Sequence, residues 1–427
     1  MKLIVAEPGH FHAALLQKQM YPGLDRRVSV YAQVGLDAIE YVNRIAGFNA
    51  RAANPTDWDL DVHFSENPME DLVRDRAGAF DPSPDIVVLA GRNRGKIDSI
   101  LRALDAGFHV LADKPWIIES ADLPKLERAL SLAAERGLAA YDIMTERYEV
   151  TSELQREFVS DAAVFGELET GAAAQPAISL FSAHHIMKTV AGAPLRRPAW
   201  FFDSEVQGEG LSDVGTHLVD LAQWTAFPDQ AIDLEADIRI LEGRRWPLAL
   251  TAEQLEKITG QKSYPAGIDY YCNNSVHYLL RGAHVRIEAV WNWEAPAGTG
   301  DIYTARFRGS KAIADLRQGA AENHKPELYI ASASAASRAE VFAAARRRIA
   351  ELHARWPGLD AVESHGELRL SIPEEFRVGH EAHFAQVANR FFEYVSAPDA
   401  MPHWERPCMM SKYFVSSKGV EAGRMAR

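Results

Sequence analysis

This chain is poor in cysteine, in long apolar runs and in positive charge. Cys272 and Cys408 are the only two cysteines in 427 residues. Two thiols exclude a disulfide framework and a cysteine-based structural zinc site, and they suit a reducing compartment, so a cytoplasmic location is expected. No stretch approaches the roughly 20 consecutive apolar residues of a membrane span, so no membrane role is expected. The apolar run at residues 2–6 is too short for a signal peptide and reads as a first strand. Lys and Arg number 46 against 59 Asp and Glu, a net charge of −13, which argues against a nucleic-acid surface. Internal repeats and low-complexity linkers are also missing. What is present is ordinary: 47% hydrophobic and 25% charged residues, on a chain long enough for two or three domains.

Periodicity divides the chain. Over residues 1–148, strand patterns at 2–6, 28–33, 59–64, 85–90, 109–112 and 138–144 alternate with helical patterns at 13–20, 36–45, 68–76, 96–106 and 121–136. That alternation predicts an α/β fold, a Rossmann-like doubly wound parallel sheet. Residues 149–427 lose the alternation. Strand patterns at 168–177, 236–241, 275–280, 284–292 and 302–309 predict an α+β domain with a large, mainly antiparallel sheet. Helices are expected at 151–162, 331–355 and 380–395, and a loop at 398–407.

In a doubly wound sheet, ligands sit at the C-terminal edge of the strands. Asp113-Lys114-Pro115 falls at that edge, directly after the apolar strand. A lysine held there between an aspartate and a proline is poorly explained as surface charge. Gly91-Arg92-Asn93 ends the preceding strand in a turn that can present N–H groups and a cation to a phosphate. The first turn, Glu7-Pro8-Gly9-His10-Phe11-His12, stands where a dinucleotide fold places its glycine fingerprint. With Gly9 as the middle glycine, Glu7 and His12 occupy the outer two positions, so the fingerprint is damaged. Its two histidines can donate to a phosphate, join His184 and His185 in a polar cleft, or pair on a metal. Packed histidines are the commoner outcome, and no metal is expected. Gln33 ends the second strand, where an acidic residue usually holds the ribose, so cofactor preference is not readable there.

Residues 207–224 carry a second constellation. A glycine-rich entry leads into a helix on which Asp213, His217 and Asp220 are spaced four and three apart, on one face. A carboxylate and an imidazole so placed offer a charge partner and a proton carrier. The plainer alternative is a helix-capping Asp213 and a core His217 held by Asp220. His184, His185 and Lys188 are expected in a loop lining a substrate cleft. Residues 235–260 and 264–271 can line or cap the same cleft, although no motif supports it. Trp291 and Trp293 share one strand face, better read as packing than as a stacking platform.

The pairing of Asp113-Lys114-Pro115 with the Gly208–Asp220 stretch resembles the Gfo/Idh/MocA family of NAD(P)-dependent sugar oxidoreductases. The C-terminal part, with Trp246, Tyr270, Trp291 and the long helix expected at 331–355, departs from shorter members and resembles the sub-branch with a distinct oxidoreductase C-terminal domain. The family's strand-edge motif is usually Glu-Lys-Pro, so Asp113 is a mild departure. The resemblance implies NAD or NADP as cofactor, held by Gly9, His10, Phe11, His12, Gln33, Gly91, Arg92, Asn93, Asp113 and Lys114. It implies a carbohydrate substrate contacted by His184, His185, Lys188, Asp213 and His217. Lys114 would donate hydrogen bonds to the reacting hydroxyl, His217 would accept its proton, and Asp213 would orient the sugar. A homo-oligomer, dimer or tetramer, is expected because the open face of a large antiparallel sheet needs cover. Two other readings stay open. One is an enzyme that retains NAD and breaks a glycosidic bond through a transient keto-sugar. The other is a cofactor-free enzyme or sugar-sensing protein whose nucleotide site has decayed.

Overall fold

Six parallel strands form the first sheet: β1 (Leu3–Ala6), β2 (Arg27–Ala32), β3 (Asp59–Phe64), β4 (Ile86–Leu89), β5 (His109–Asp113) and β6 (Ala140–Ile143). Their order, β3-β2-β1-β4-β5-β6, reverses direction between β1 and β4. Every pairing is parallel, with Val5 opposite Val30 and Val88, and Val110 opposite Ala140. β1 and β4 are buried at every position because helices cover both sheet faces. Their sequences are therefore unbroken apolar runs. The computed structural model describes residues 1–77, 85–190 and 193–426.

The crossovers are α1 (His12–Leu15), α2 (Leu36–Ala50), α3 (Pro68–Ala77), α4 (Lys96–Asp105) and α5 (Leu123–Glu135). On α4 the helical spacing is realised: Ile97, Ile100, Ala103 and Leu104 are buried, and Gly107 follows at φ 87°. The helix expected at 13–20 is cut to four residues. Beyond Leu15 the backbone tightens into i→i−3 turns, with the Gln17 N–H donating to the Ala14 carbonyl at 2.9 Å and the Lys18 N–H to the Leu15 carbonyl at 3.2 Å.

Next come α6 (Val150–Val159), the small hairpin β7 (Gly171–Ala172) and β8 (Gln175–Pro176), β9 (Ile178–Met187), and the pair β10 (Thr189–Val190) and β11 (Ala193–Pro194). Then α7 (Ser204–Gln207), α8 (Val214–Ala226), α9 (Leu234–Asp237), β12 (Ile238–Leu250), α10 (Ala252–Thr259), β13 (Ile268–Leu280) and β14 (Ala283–Glu294) follow. The remaining elements are β15 (Ile302–Arg308), β16 (Ala312–Gln318), β17 (Glu327–Ser332), α11 (Arg338–Leu352), β18 (Asp360–Ser364), β19 (Glu367–Ser371), α12 (His380–Ser396) and α13 (Glu405–Met425). Nine of these strands form one sheet in the order β12-β13-β14-β9-β15-β16-β17-β19-β18. Only β14 and β9 pair in parallel; the other neighbours are antiparallel. Phe158, Leu180, Val285, Ile287, Phe307, Leu316 and Ile330 lie in its core.

The two compact units are not consecutive blocks. The first contains Met1–Thr145, Pro198–Gly208 and His380–His403, and the second contains the rest. In the first unit, Val206 accepts from the backbone of Asn93 and Arg94 at 3.2 and 2.9 Å, which ties residues 198–208 to the end of β4. Helix α12 returns to the same unit, setting Tyr394 against Tyr141, Phe392 against Tyr21 and Phe384 against His12.

Three expected elements are corrected. The strand expected at 168–177 becomes the β7–β8 hairpin, which turns at 173–174; Gly171, at φ 67°, lies so close to the returning chain that a Cβ would lie 2.4 Å from the Ala177 nitrogen. The helix expected at 331–355 starts only at Arg338, after β17. The last part of the loop expected at 398–407 is instead the start of the 21-residue α13, a helix that was not expected. Its buried side mixes Met409, Tyr413, Val415 and Val420 with the small residues Cys408, Ser411, Ser416, Gly419 and Gly423. Those small residues admit β12: a Cβ on Gly243 would lie 2.4 Å from the Gly419 carbonyl.

Candidate functional site

In the first unit the chemistry gathers at the C-terminal edge of β5. Asp113 ends the strand at 3% exposure and Lys114 follows at 8%. Lys96, from the first turn of α4, is also buried. Its ammonium donates to the Asp113 and Pro115 carbonyls at 2.9 and 3.2 Å and to Asn93 Oδ1 at 2.6 Å. The backbone on both sides of Lys114 is thereby fixed. The Asp113 carboxylate faces two imidazoles: Nδ1 of His12 lies 2.9 Å and Nδ1 of His10 3.2 Å from its Oδ2. Burial opposes ionisation of Asp113, yet the imidazoles facing it hold it well below the ordinary carboxylate range. Burial pushes His12 down to about 3, so its ring is neutral at physiological pH despite Asp113.

The crevice between β1 and β4 is crowded. The Gly9 and His10 N–H groups both donate to the Ala90 carbonyl, at 3.1 and 2.8 Å. Glu7 adopts a left-handed conformation, φ 51°, which glycine takes without strain. Gly91 is required by close approach, since a Cβ there would lie 2.2 Å from the Glu7 carbonyl oxygen. Trp200 donates its indole N–H to Asp37 Oδ2 at 2.9 Å, and the Arg92 guanidinium lies 6.0 Å from the Trp200 ring. Arg92 itself is exposed, and the Arg44 guanidinium stands 6.0 Å from the Phe11 ring.

Of the residues expected to meet a cofactor, Gly9, His10, His12, Gly91, Asp113 and Lys114 cluster at the ends of β1, β4 and β5. Gln33 does not present a free amide; it donates to the Glu66 carbonyl at 3.0 Å. Asn93 is buried, and its amide donates to the Gln207 carbonyl at 2.7 Å, which makes it a clamp on residues 198–208.

In the second unit, Asp213 stands at the N-terminus of α8 without capping it through its side chain, and His217 lies one turn on, 9% exposed. Asp220 belongs to a different network. Arg147 grips its carboxylate through Nε and Nη2, both at 2.6 Å, and Lys412 reaches it at 3.1 Å. Arg147 also holds Glu405 at 2.9 Å. The alternative in which Asp220 serves His217 is therefore corrected: two cations on α13 and before α6 occupy it.

His184 and His185 lie in β9, not in a loop. They converge on Asp301 at 3.1 and 3.0 Å, and Lys188 reaches it at 3.3 Å. Burial opposes ionisation of Asp301, but His184, Lys188 and His185 hold it far below the usual range. Arg197 is buried with its guanidinium 5.2 Å from the Trp291 ring. Burial lowers its pKa, while Tyr270, Asp213 and Asp301 favour its charge. Trp291 is packed, as expected.

Sequence reasoning missed Lys96, Arg197 and Asp301, and gave Tyr270 no role at the site beyond its place in 264–271. Lys96 carried one signal, a lysine among the apolar positions of α4. Asp301 carried another, the turn Gly298-Thr299-Gly300 before it. The entry glycines had a reason that spacing hides. A Cβ on Gly210 would lie 1.9 Å from the Cys272 carbonyl oxygen. Glu209, 1% exposed, is pinned by Asn274 and Arg424, both at 2.9 Å.

Residues 154–424 match the family model described as "Putative oxidoreductase C terminal domain". A crystal structure described as a "putative oxidoreductase" from Parabacteroides merdae is 38% identical, with a TM-score of 0.94 over 99% of this chain and 97% of that one. KijD10, a 3-ketoreductase from Actinomadura kijaniata solved with NADP and TDP-benzene, shares the fold at 15% identity and a TM-score of 0.56, over 96% of this chain and 94% of that one. The D-glucoside 3-dehydrogenase of Escherichia coli (strain K12) is 32% identical over 154 residues, 34% of this chain. The match spans only 37% of that relative's length. Among the described residues, no helix is long and apolar enough to cross a membrane.

Proposed function

Because this chain belongs to the family with that C-terminal oxidoreductase domain, within the Gfo/Idh/MocA-type superfamily, we propose that it is an NAD(P)-dependent oxidoreductase. In this reading it acts on a hydroxyl of a sugar or sugar derivative by hydride transfer. One observation carries it: the ammonium-bearing residue Lys114, held on both sides by Lys96, at the C-terminal edge of β5 in a sheet of order β3-β2-β1-β4-β5-β6. In that order the crevice for a dinucleotide opens between β1 and β4. Gly91 lets the turns after β1 and β4 approach closely at its rim, and Arg92 fits it as an exposed cation for a phosphate. The nicotinamide, when bound, supplies the hydride acceptor.

The chain's own groups supply the proton chemistry. Lys114 donates hydrogen bonds to the reacting oxygen and stabilises the developing alkoxide. His217 accepts the hydroxyl proton as general base. Asp213 binds the sugar and orients it. Asp301, kept ionised by its two histidines and Lys188, accepts hydrogen bonds from sugar hydroxyls, as a preformed acceptor set must. The substrate class draws support from the glucoside dehydrogenase and the 3-ketoreductase. Cytoplasmic location and homo-oligomerisation belong to the same proposal.

A second reading rests on a specific observation. The Gly9 and His10 N–H groups are spent on Ala90, and Trp200 is bonded to Asp37, so the grip on a dinucleotide is weaker than a glycine turn provides. That favours a protein that works without a dinucleotide. One experiment separates the readings: titrate the purified chain with NAD and NADP, then supply glucosides and follow the NADH band. Binding with stoichiometric reduction supports the dehydrogenase. Sugar release with no net reduction supports the cofactor-retaining reaction. No binding at millimolar nucleotide removes both.

A further inference from the structure

We propose that His10, His12 and Asp113 form a divalent transition-metal site at the ends of β1 and β5. Their ligand atoms lie within 4.8 Å of one another, and His12 and Asp113 are buried. Both imidazoles turn Nδ1 toward the same oxygen, Asp113 Oδ2, at 2.9 and 3.2 Å. The other oxygen, Oδ1, is buried and takes no hydrogen bond among the described residues.

Hydrogen bonding alone does not account for that arrangement. A buried carboxylate served only by hydrogen bonds gains most when its donors are spread over both oxygens, because a buried acceptor left unmet is destabilising. Here both ring nitrogens face one oxygen and the other has no hydrogen bond among the described residues. An ion beside the carboxylate satisfies Oδ1 as well as the two ring nitrogens. The spacing suits it: ligands about 2.0–2.2 Å from a tetrahedral zinc lie roughly 3.4 Å from each other. Two neutral imidazoles and one carboxylate are borderline ligands, which select zinc, iron(II), cobalt(II) or nickel(II) over magnesium or calcium. Three protein ligands leave at least one coordination position open. The ion would also place positive charge where Glu7 and His12 have replaced the fingerprint glycines. This departs from the expectation of no metal, which weighed His10 and His12 without Asp113. The gap of 101 residues between His12 and Asp113 hides the third ligand from any spacing rule.

Metal binding is read here without nucleotide, so its failure and that of the dehydrogenase reading are separable. The full chain, free of any affinity tag, is stripped with a chelator and titrated with Zn²⁺ and with Co²⁺. One equivalent should bind, and Co²⁺ should give ligand-field bands in the visible. His10→Gln, the least buried of the three, should weaken binding by about 10²-fold or more while the far-ultraviolet spectrum stays native. X-ray absorption of the zinc-loaded wild type should show a nitrogen and oxygen shell containing two imidazoles. This last measurement needs no variant, so it decides the matter even if His10→Gln does not fold. Wild type that takes up no stoichiometric ion, a shell with fewer than two imidazoles, or folded His10→Gln with unchanged affinity overturns the site.

Discussion

The ammonium of Lys96 and the main-chain carbonyl of Asp113 are 2.9 Å apart, and that bond sets the backbone from which Lys114 projects. Lys96 is 4% exposed and serves three acceptors at once. Lys96→Met keeps the apolar stem but strands those acceptors. It is expected to destabilise the fold by about 1–3 kcal/mol and to lower kcat, because Lys114 loses its fixed base. Urea denaturation and steady-state kinetics measure the two effects. Native stability and native kcat together would discard this role.

His217 is assigned as the base, and general-base help is typically worth about 10²–10⁴-fold. His217→Ala is expected to lower turnover by that order while nucleotide affinity stays within twofold. The comparison needs kcat and a direct binding titration on the same preparation. Undiminished turnover excludes His217 from the proton transfer.

Asp220 makes a structural prediction. It is fully buried between Arg147 and Lys412. Asp220→Ala leaves both cations short of a partner, and breaking a buried pair from one side costs about 3–5 kcal/mol. Equilibrium denaturation is the test, with Asp220→Asn as the isosteric comparison. A loss below 1 kcal/mol for Asp220→Ala, roughly the value of an exposed pair, contradicts the network's importance.

Glu149 makes the stability depend on pH. Burial, with Glu146 nearby, raises its pKa to about 7 from an ordinary 4.5. The folded protein keeps this proton until about pH 7, whereas the unfolded chain releases it near 4.5. Stability therefore falls as pH rises through that interval, by about 1.4 kcal/mol for each step of one in pH. Glu149→Gln removes the proton exchange. It is expected to match wild type at pH 4 and to exceed it at pH 8 by roughly 3 kcal/mol. Thermal melts at the two pH values check this; equal differences at both would refute it.

The sequence by itself determined the parallel first sheet, the mainly antiparallel second one, and the places of Lys114 after β5 and Asp213 and His217 at the start of α8. These follow from local periodicity: an apolar run marks a strand buried on both faces, and a position at its end needs no knowledge of distant residues. Tertiary structure alone decided the partners. Asp220 read as a neighbour of His217 because they are three residues apart, but Lys412 arrives from 192 residues away and Arg147 from 73. The return of residues 198–208 and 380–403 to the first unit was hidden for the same reason. So was α13, whose apolar residues are interrupted by the small residues Gly419 and Gly423 that let it lie close against β12. Spacing along a chain reports which face is covered. Which group covers it is set by packing between residues far apart in sequence, where burial leaves a charge no other partner.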